Sequence, residues 1–140
     1  MKKITTFILT ILLYSFSYGQ TVTELYNNKN FHELVKLEAD KLTAAELYML
    51  GYAFFQLEND NKAIEFYDKA ISKGLDNGSI YYYKSVSFYY SKKYDEALKQ
   101  IDIALQKEPT NQMFMNHKGQ IYRLQGQEDT ALEYFVAATK

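Results

Sequence analysis

Cysteine and tryptophan are missing from these 140 residues, proline occurs once and histidine twice. Without cysteine there is no disulfide, no thiolate nucleophile and no lipid-modified N-terminal Cys. The two histidines, His32 and His117, lie far apart, and neither has a second His or a carboxylate at metal-ligand spacing on a shared face. Both are expected to be ordinary surface or groove residues. Glu33 with Glu38, and Asp95 with Glu96, read as solvated helix faces. Ser85 and Ser87 have no nucleophile-elbow motif around them, and no glycine-rich phosphate loop is present. The expectation is therefore no catalytic residue, no cofactor, no metal and no enzyme. A strong excess of positive charge is lacking as well: 16 Lys and Arg against 17 Asp and Glu leave a net charge of −1, which offers no basic face to nucleic acid.

A long hydrophobic run is also absent. The most apolar stretch follows Lys2 and Lys3 and extends only from Ile4 to Phe16, too short for an ordinary membrane span. Small residues at Ser17 and Gly19 follow it, so residues 1–19 read as an export signal cleaved after Gly19. Loss of Lys2 and Lys3 takes the net charge from −1 to −3. The short Lys-led signal looks bacterial. Export to the periplasm or the outside is expected, without stable membrane insertion once the signal is removed.

What the chain has in excess is tyrosine, 14 in all, and a fixed period. Ala63, Ala97 and Ala131 are evenly spaced, and Ala70, Ala104 and Ala138 keep the same step. Large side chains keep it too, at Phe54, Phe88, Tyr122 and at Tyr67, Ile101, Phe135, as do small ones at Gly51, Ser85, Gly119. A constant step of this length marks a stacked repeat array. Glycine inside a helix is unfavourable by about 1 kcal/mol relative to alanine. Close helix crossing supplies the compensation, with Gly51 against Ala63, Ser85 against Ala97 and Gly119 against Ala131.

These residues and spacings resemble the tetratricopeptide repeat, with its Leu, Gly, aromatic, Ala, aromatic, Ala and closing Pro. Leu47, Leu50, Gly51, Phe54, Ala63, Tyr67 and Ala70 fill the slots of the first repeat, with Leu75 in place of Pro. The second departs at Lys84 and Ser85 and carries the sole proline, Pro109, and the third has Lys118 in the Leu slot. The resemblance implies an all-α, right-handed solenoid of stacked antiparallel helix pairs, about eight helices in all. Its parts are an irregular N-terminal hairpin over 20–42 and three repeats within 43–140, at about 44–77, 78–111 and 112–140. Capping boxes at Thr21–Glu24 and Thr43–Glu46 open helices. Turn signals fall at Asn59-Asp60-Asn61, Gly74, Asp76-Asn77-Gly78, Lys92-Lys93, Pro109-Thr110-Asn111 and Gly126.

In tetratricopeptide arrays the inner faces of the first helices line a concave groove. Transferred residue by residue, that lining is Tyr48, Tyr52 and Phe55, then Tyr82, Tyr83, Val86, Tyr89 and Tyr90, then Met113, Asn116, His117, Gln120 and Arg123. Tyr48, Tyr52, Tyr82 and Tyr89 are expected to be exposed, whereas Tyr81, Tyr83 and Tyr90 are expected to pack between repeats. The partner-binding set is then Tyr48, Tyr52, Tyr82, Tyr89, Asn116, Gln120 and Arg123. Some members of the family grip a C-terminal carboxylate with Lys, Asn and Arg, but the matching positions here are Tyr48, Tyr52, Tyr83, Met113 and His117, so that clamp is absent.

The reading is an exported scaffold that binds a protein or peptide segment in a tyrosine-rich groove. The alternative is a saccharide or small-ligand module of the envelope using the same tyrosines. At the C-terminal edge Val136 stands where Asp68 and Asp102 stand in the other repeats. Weak self-association or partner docking through Leu132, Val136 and Thr139 is expected there. For the signal, the intact mass of the exported protein should correspond to a chain beginning at Gln20, free or cyclised to pyroglutamate; recovery of Met1 in a membrane fraction would overturn this.

Overall fold

The computed structural model describes residues 21–139, so the expected export signal lies outside the described residues. Eight helices and no strand occur among them. Residues 21–27 are helical (α1), followed by one turn, Phe31–Leu34 (α2). Three long pairs come next: α3 (Ala44–Gln56) with α4 (Asp60–Ser72), α5 (Gly78–Tyr90) with α6 (Tyr94–Lys107), and α7 (Gln112–Leu124) with α8 (Glu128–Ala137). The architecture is the right-handed all-α solenoid.

Local chemistry explains the boundaries. Thr43 and Glu46 form a reciprocal capping box at the start of α3, the side chain of each bonding the backbone N–H of the other. The Asn59, Asn77 and Asn111 side chains accept from backbone N–H groups in the first turns of α4, α5 and α7. Thr21 is the exception: it is itself helical rather than a cap.

Between the helices of each pair the chain turns through one residue with left-handed backbone, Glu58 (φ 58°), Lys92 (φ 59°) and Gly126 (φ 76°). These three keep the step of the alanines, so the turn recurs with the repeat. Only the third is glycine, and a side chain in this conformation is disfavoured by roughly 1–2 kcal/mol. Docking of the two helices has to offset that in the first two repeats. Lys29 (φ 55°) makes the same turn before α2, ahead of Glu58 by less than a full repeat. The N-terminal hairpin is therefore built like a shortened repeat.

Packing explains the small residues. A Cβ added at Gly51 would stand 2.8 Å from the Cδ1 and Cε1 carbons of Tyr67 and 3.2 Å from the Ala63 carbonyl oxygen. At Gly119 it would meet Phe135 at 2.6 Å. The tightest neighbour of each glycine is thus the aromatic ring of its partner helix. Where the middle repeat has Ser85, the corresponding partner is the smaller, fully buried Ile101. Ser85 is itself fully buried, and its hydroxyl donates to the Ala97 carbonyl at 2.8 Å.

The stack curves in a definite direction. Neighbouring first helices approach each other, α3 with α5 and α5 with α7, whereas among the described residues no two second helices do. The first helices therefore line the inner side. The core is linear: one cluster joins Val22, Leu34 and Leu42 to α3, α4 and Ile80, a second joins α6 to Phe114 and Ile121, and Tyr81 packs against both.

The lysines in the Leu slot have a partner in the preceding repeat. Lys84 reaches Asp68 and Lys118 reaches Asp102, each at 2.6 Å. Both lysines are largely buried along their stems, so each covers apolar surface while its ammonium meets a half-solvated carboxylate. In the first repeat the slot holds Leu50, which lies in the apolar cluster with Leu34.

Gly51→Ala is expected to lower stability, because Tyr67 is fully buried and cannot swing away from a new methyl group. Overpacking of about 1–3 kcal/mol outweighs the helix propensity gained. Gly119→Ala, against the only half-buried Phe135, should have the smaller effect. Urea unfolding of both variants reads the difference; parental stability in Gly51→Ala would show that the Tyr67 ring gives way.

Candidate functional site

The inner side carries a continuous run of aromatic rings. Tyr52 sits at its N-terminal end, with ring centroids 5.5 Å from Tyr26, 5.9 Å from Phe31, 6.1 Å from Phe55 and 5.1 Å from Tyr83. Tyr83 then touches Tyr82 at 5.1 Å, and Tyr82 stacks on the buried Phe114 at 5.1 Å with only 19° between planes. Tyr89 lies 5.5 Å from both Tyr90 and His117. Geometries of this kind contribute about 0.5–1.5 kcal/mol per pair beyond the area they bury. The rings therefore hold the repeats together as well as facing the inner side.

That double role changes which tyrosines are available. Tyr48, Tyr52, Tyr82 and Tyr89, expected to be exposed, are each only partly so. Tyr48 packs between Tyr67 (5.9 Å) and Tyr83 (6.1 Å). Tyr90, expected to pack between repeats, is instead 63% exposed, with its ring beside Phe55 and Tyr89. It ends α5, where no following turn covers it. Tyr81 does pack: its hydroxyl donates to Asp76 at 3.0 Å, and the Lys107 ammonium lies 5.5 Å from its ring centroid. Burial pushes the hydroxyls of Tyr26, Tyr48, Tyr67, Tyr82 and Tyr83 above the ordinary phenol range, and neighbouring tyrosines add to it. All five are neutral donors at any physiological pH.

His117 is a correction to the surface or groove residue expected. It is 5% exposed, between the rings of Tyr82 (5.4 Å) and Tyr89 (5.5 Å), because α7 turns it inward against α5. Its Nε2 lies 3.0 Å from Ser85 Oγ. The only hydroxyl proton of Ser85 goes to the Ala97 carbonyl, so the imidazole must carry its proton on Nε2 and donate to the serine oxygen. Burial pushes this histidine down to about 4, only partly offset by the hydrogen bond with Ser85.

The polar end is more open. Asn116, Gln120 and Arg123 are exposed, and the Arg123 guanidinium lies 5.8 Å from the ring centroid of Phe135, turned towards its own partner helix. Two further surfaces stand out. Leu132 (61% exposed) and Val136 (47% exposed) leave an apolar strip on α8. An open groove of about 430 Å³ between α6, α7 and α8 holds the Lys118–Asp102 pair beside Tyr134. Among the described residues no group of three or more His, Cys, Asp or Glu could hold a metal ion. No helix there is long and apolar enough to cross a membrane.

Two family models described as tetratricopeptide repeat match the sequence, over residues 47–72 and 84–140, and between them cover more than half of it. The TPR repeat-containing protein MJ1428 of Methanocaldococcus jannaschii is 30% identical over 112 residues, 80% of this chain and 19% of that protein. The chain thus spans about a fifth of that relative's length. Among solved structures, MamA 41-end from Desulfovibrio magneticus RS-1 aligns with a TM-score of 0.79 at 14% identity, over 86% of this chain and 71% of that one. The second TPR of Spaghetti (RPAP3), bound to the HSP90 peptide SRMEEVD, aligns at 0.65 and 20%, over 83% and 96%. At such identities the structural likeness establishes the fold alone.

The buried imidazole makes stability depend on pH. His117 takes up a proton near 6.5 when unfolded and only near 4 when folded. Its contribution, of order 3 kcal/mol, is complete above about pH 6.5 and lost as pH falls towards 4. A His117→Gln variant should therefore lose less stability than the parent between pH 7 and pH 4. Superimposable pH profiles in chemical unfolding would show that His117 ionises freely in the folded chain.

Proposed function

Because this chain is built of tetratricopeptide repeats, we propose that it is an exported scaffold which binds a protein segment along the tyrosine-rich inner side and does no chemistry. The repeats and the fold they share with other tetratricopeptide structures support a protein-interaction scaffold. The observation that carries the finer reading is the aromatic run from Tyr52 to Tyr89, ending on the exposed Tyr90. Rigid amphipathic rings supply contact area at small entropic loss, which is why binding surfaces favour them. A ligand held by its terminal carboxylate is disfavoured, since the positions that would clamp it are Tyr48, Tyr52, Tyr83, Met113 and the buried His117. A saccharide stacked on the same rings is the second reading, supported by the partial exposure of Tyr52, Tyr82, Tyr83 and Tyr89.

Tyr82 is a poor probe, because its stack on Phe114 ties it to stability. Tyr89 helps to enclose the buried His117, so Tyr90, 63% exposed at the end of α5, is the informative residue. With the full chain as bait in an envelope extract, the Tyr90→Ala variant should bind its partner at least about tenfold more weakly, with melting temperature little changed. Binding should also respond only weakly to salt. Equal capture by parent and variant would move attention to α8 or to the outer side.

A further inference from the structure

The joints between the three repeats are built alike. Tyr83 of α5 sits among Tyr48, Tyr52 and Phe55 of α3, at ring-centroid distances of 6.1, 5.1 and 6.1 Å. One step of the repeat later, His117 of α7 sits between Tyr82 and Tyr89 of α5, at 5.4 and 5.5 Å. Each of these side chains is followed in the chain by a lysine that reaches the preceding second helix, Lys84 to Asp68 and Lys118 to Asp102. A joint is thus made by two consecutive residues of one helix. The first enters a socket on the preceding first helix, and the second meets a fixed position on the preceding second helix.

At the next step the same positions are open. The socket in step with Tyr48, Tyr52 and Phe55 is Asn116, Gln120 and Arg123 of α7, all three exposed. The position of Asp68 and Asp102 holds Val136, 47% exposed, with the exposed Leu132 one turn before it. The chemistry is inverted relative to the occupied joints. There the socket is lined by rings and the second helix offers a carboxylate; here the socket is amide and guanidinium and the second helix offers an aliphatic side chain. Arg123 forms no ion pair among the described residues, and α7 contains no Asp or Glu. Elsewhere in the chain the slot residue matches what faces it: it is lysine opposite Asp68 and Asp102, but Leu50 where the preceding segment contributes Leu34 to the same apolar cluster.

We propose that this edge docks a helix of a partner protein that carries an acidic residue followed directly by an aliphatic one, the carboxylate entering the socket of Asn116, Gln120 and Arg123 and the aliphatic side chain lying on Val136. Charge and register together select this occupant. A guanidinium beside two amide groups presents N–H donors to a carboxylate, and Arg123 can bind both of its oxygens. A basic residue in the socket would meet the like charge of Arg123. Lysine in the second place, which suits both occupied joints, would find no counter-charge beside Val136, so the edge discriminates against the chain's own joint-forming helices. The docked helix continues the register of α5 and α7 and buries Leu132 and Val136 as each repeat buries its predecessor. The rings of the inner side take no part, so this surface is independent of the reading proposed for them.

The test titrates the full chain by calorimetry with synthetic peptides of residues 78–107, whose first helix carries the two joint residues at 83 and 84. One peptide has Tyr83→Glu with Lys84→Leu, a second Tyr83→Lys with Lys84→Leu, and a third Tyr83→Glu alone. The first is expected to bind saturably and at least about tenfold more tightly than the other two. In the full chain, Arg123→Glu should weaken it at least about tenfold. Val136→Asp, which recreates the position of Asp68 and Asp102, should reverse the preference, so that the third peptide becomes the tighter. Both side chains are exposed, so melting temperature should not change, and a reversed preference cannot come from unfolding. Tyr90→Ala should bind the first peptide as the parent does. No saturable binding of the first peptide, or equal binding of all three, would overturn the proposal. An unchanged preference in Val136→Asp would overturn the register. Self-association of the chain that Arg123→Glu and Val136→Asp abolish would overturn a foreign helix as the occupant in favour of a second copy.

Discussion

Everything in this solenoid depends on how closely the two helices of a repeat can cross. At Gly51 and Gly119 the partner's aromatic ring lies so near that no side chain fits between. The middle repeat meets the same steric demand with a smaller side chain opposite, Ile101, and a serine whose hydroxyl is absorbed by the facing backbone. Small-with-aromatic and serine-with-isoleucine are two solutions to one steric problem. Each fixes the separation within a pair, and that separation decides how far the next pair can tuck in.

The second constraint is that a repeat buries its apolar face only against its neighbour. In this chain the neighbours are joined differently on the two sides. On the inner side the joints are aromatic, and the tyrosines that link the repeats are the ones proposed above to meet a partner. On the other side they are ion pairs, Lys84–Asp68 and Lys118–Asp102, with the lysine stems filling space that leucine fills elsewhere. Exposed or half-exposed pairs of this kind contribute little stability individually. Their use is geometric, since a wrong register would leave a largely buried ammonium without its carboxylate.

Tyrosine suits an inner side with two duties. The ring packs like phenylalanine and the hydroxyl tolerates partial hydration, so a joint can stay partly open to solvent without being unstable. His117 shows the opposite choice. Sealed between two tyrosines and tied to Ser85, it strengthens the joint of the last two repeats but cannot serve a partner in that position.

The sequence alone determined the repeat and its constant step, the all-α class and the cap at Thr43, because these follow from local spacing and local hydrogen bonding. It also located the small slots at 51, 85 and 119, since glycine within a helix demands a close neighbour. It did not reveal that Glu58 and Lys92 share the left-handed turn of Gly126, as neither residue type advertises that conformation. Nor did it rank the tyrosines: Tyr48 and Tyr90 both lie on first helices, yet one is packed between rings and the other is 63% exposed. The burial of His117 and the ion pairs of Lys84 and Lys118 were hidden for the same reason. Each is decided by what the adjacent repeat places against that side chain, and only the tertiary structure brings the two repeats together.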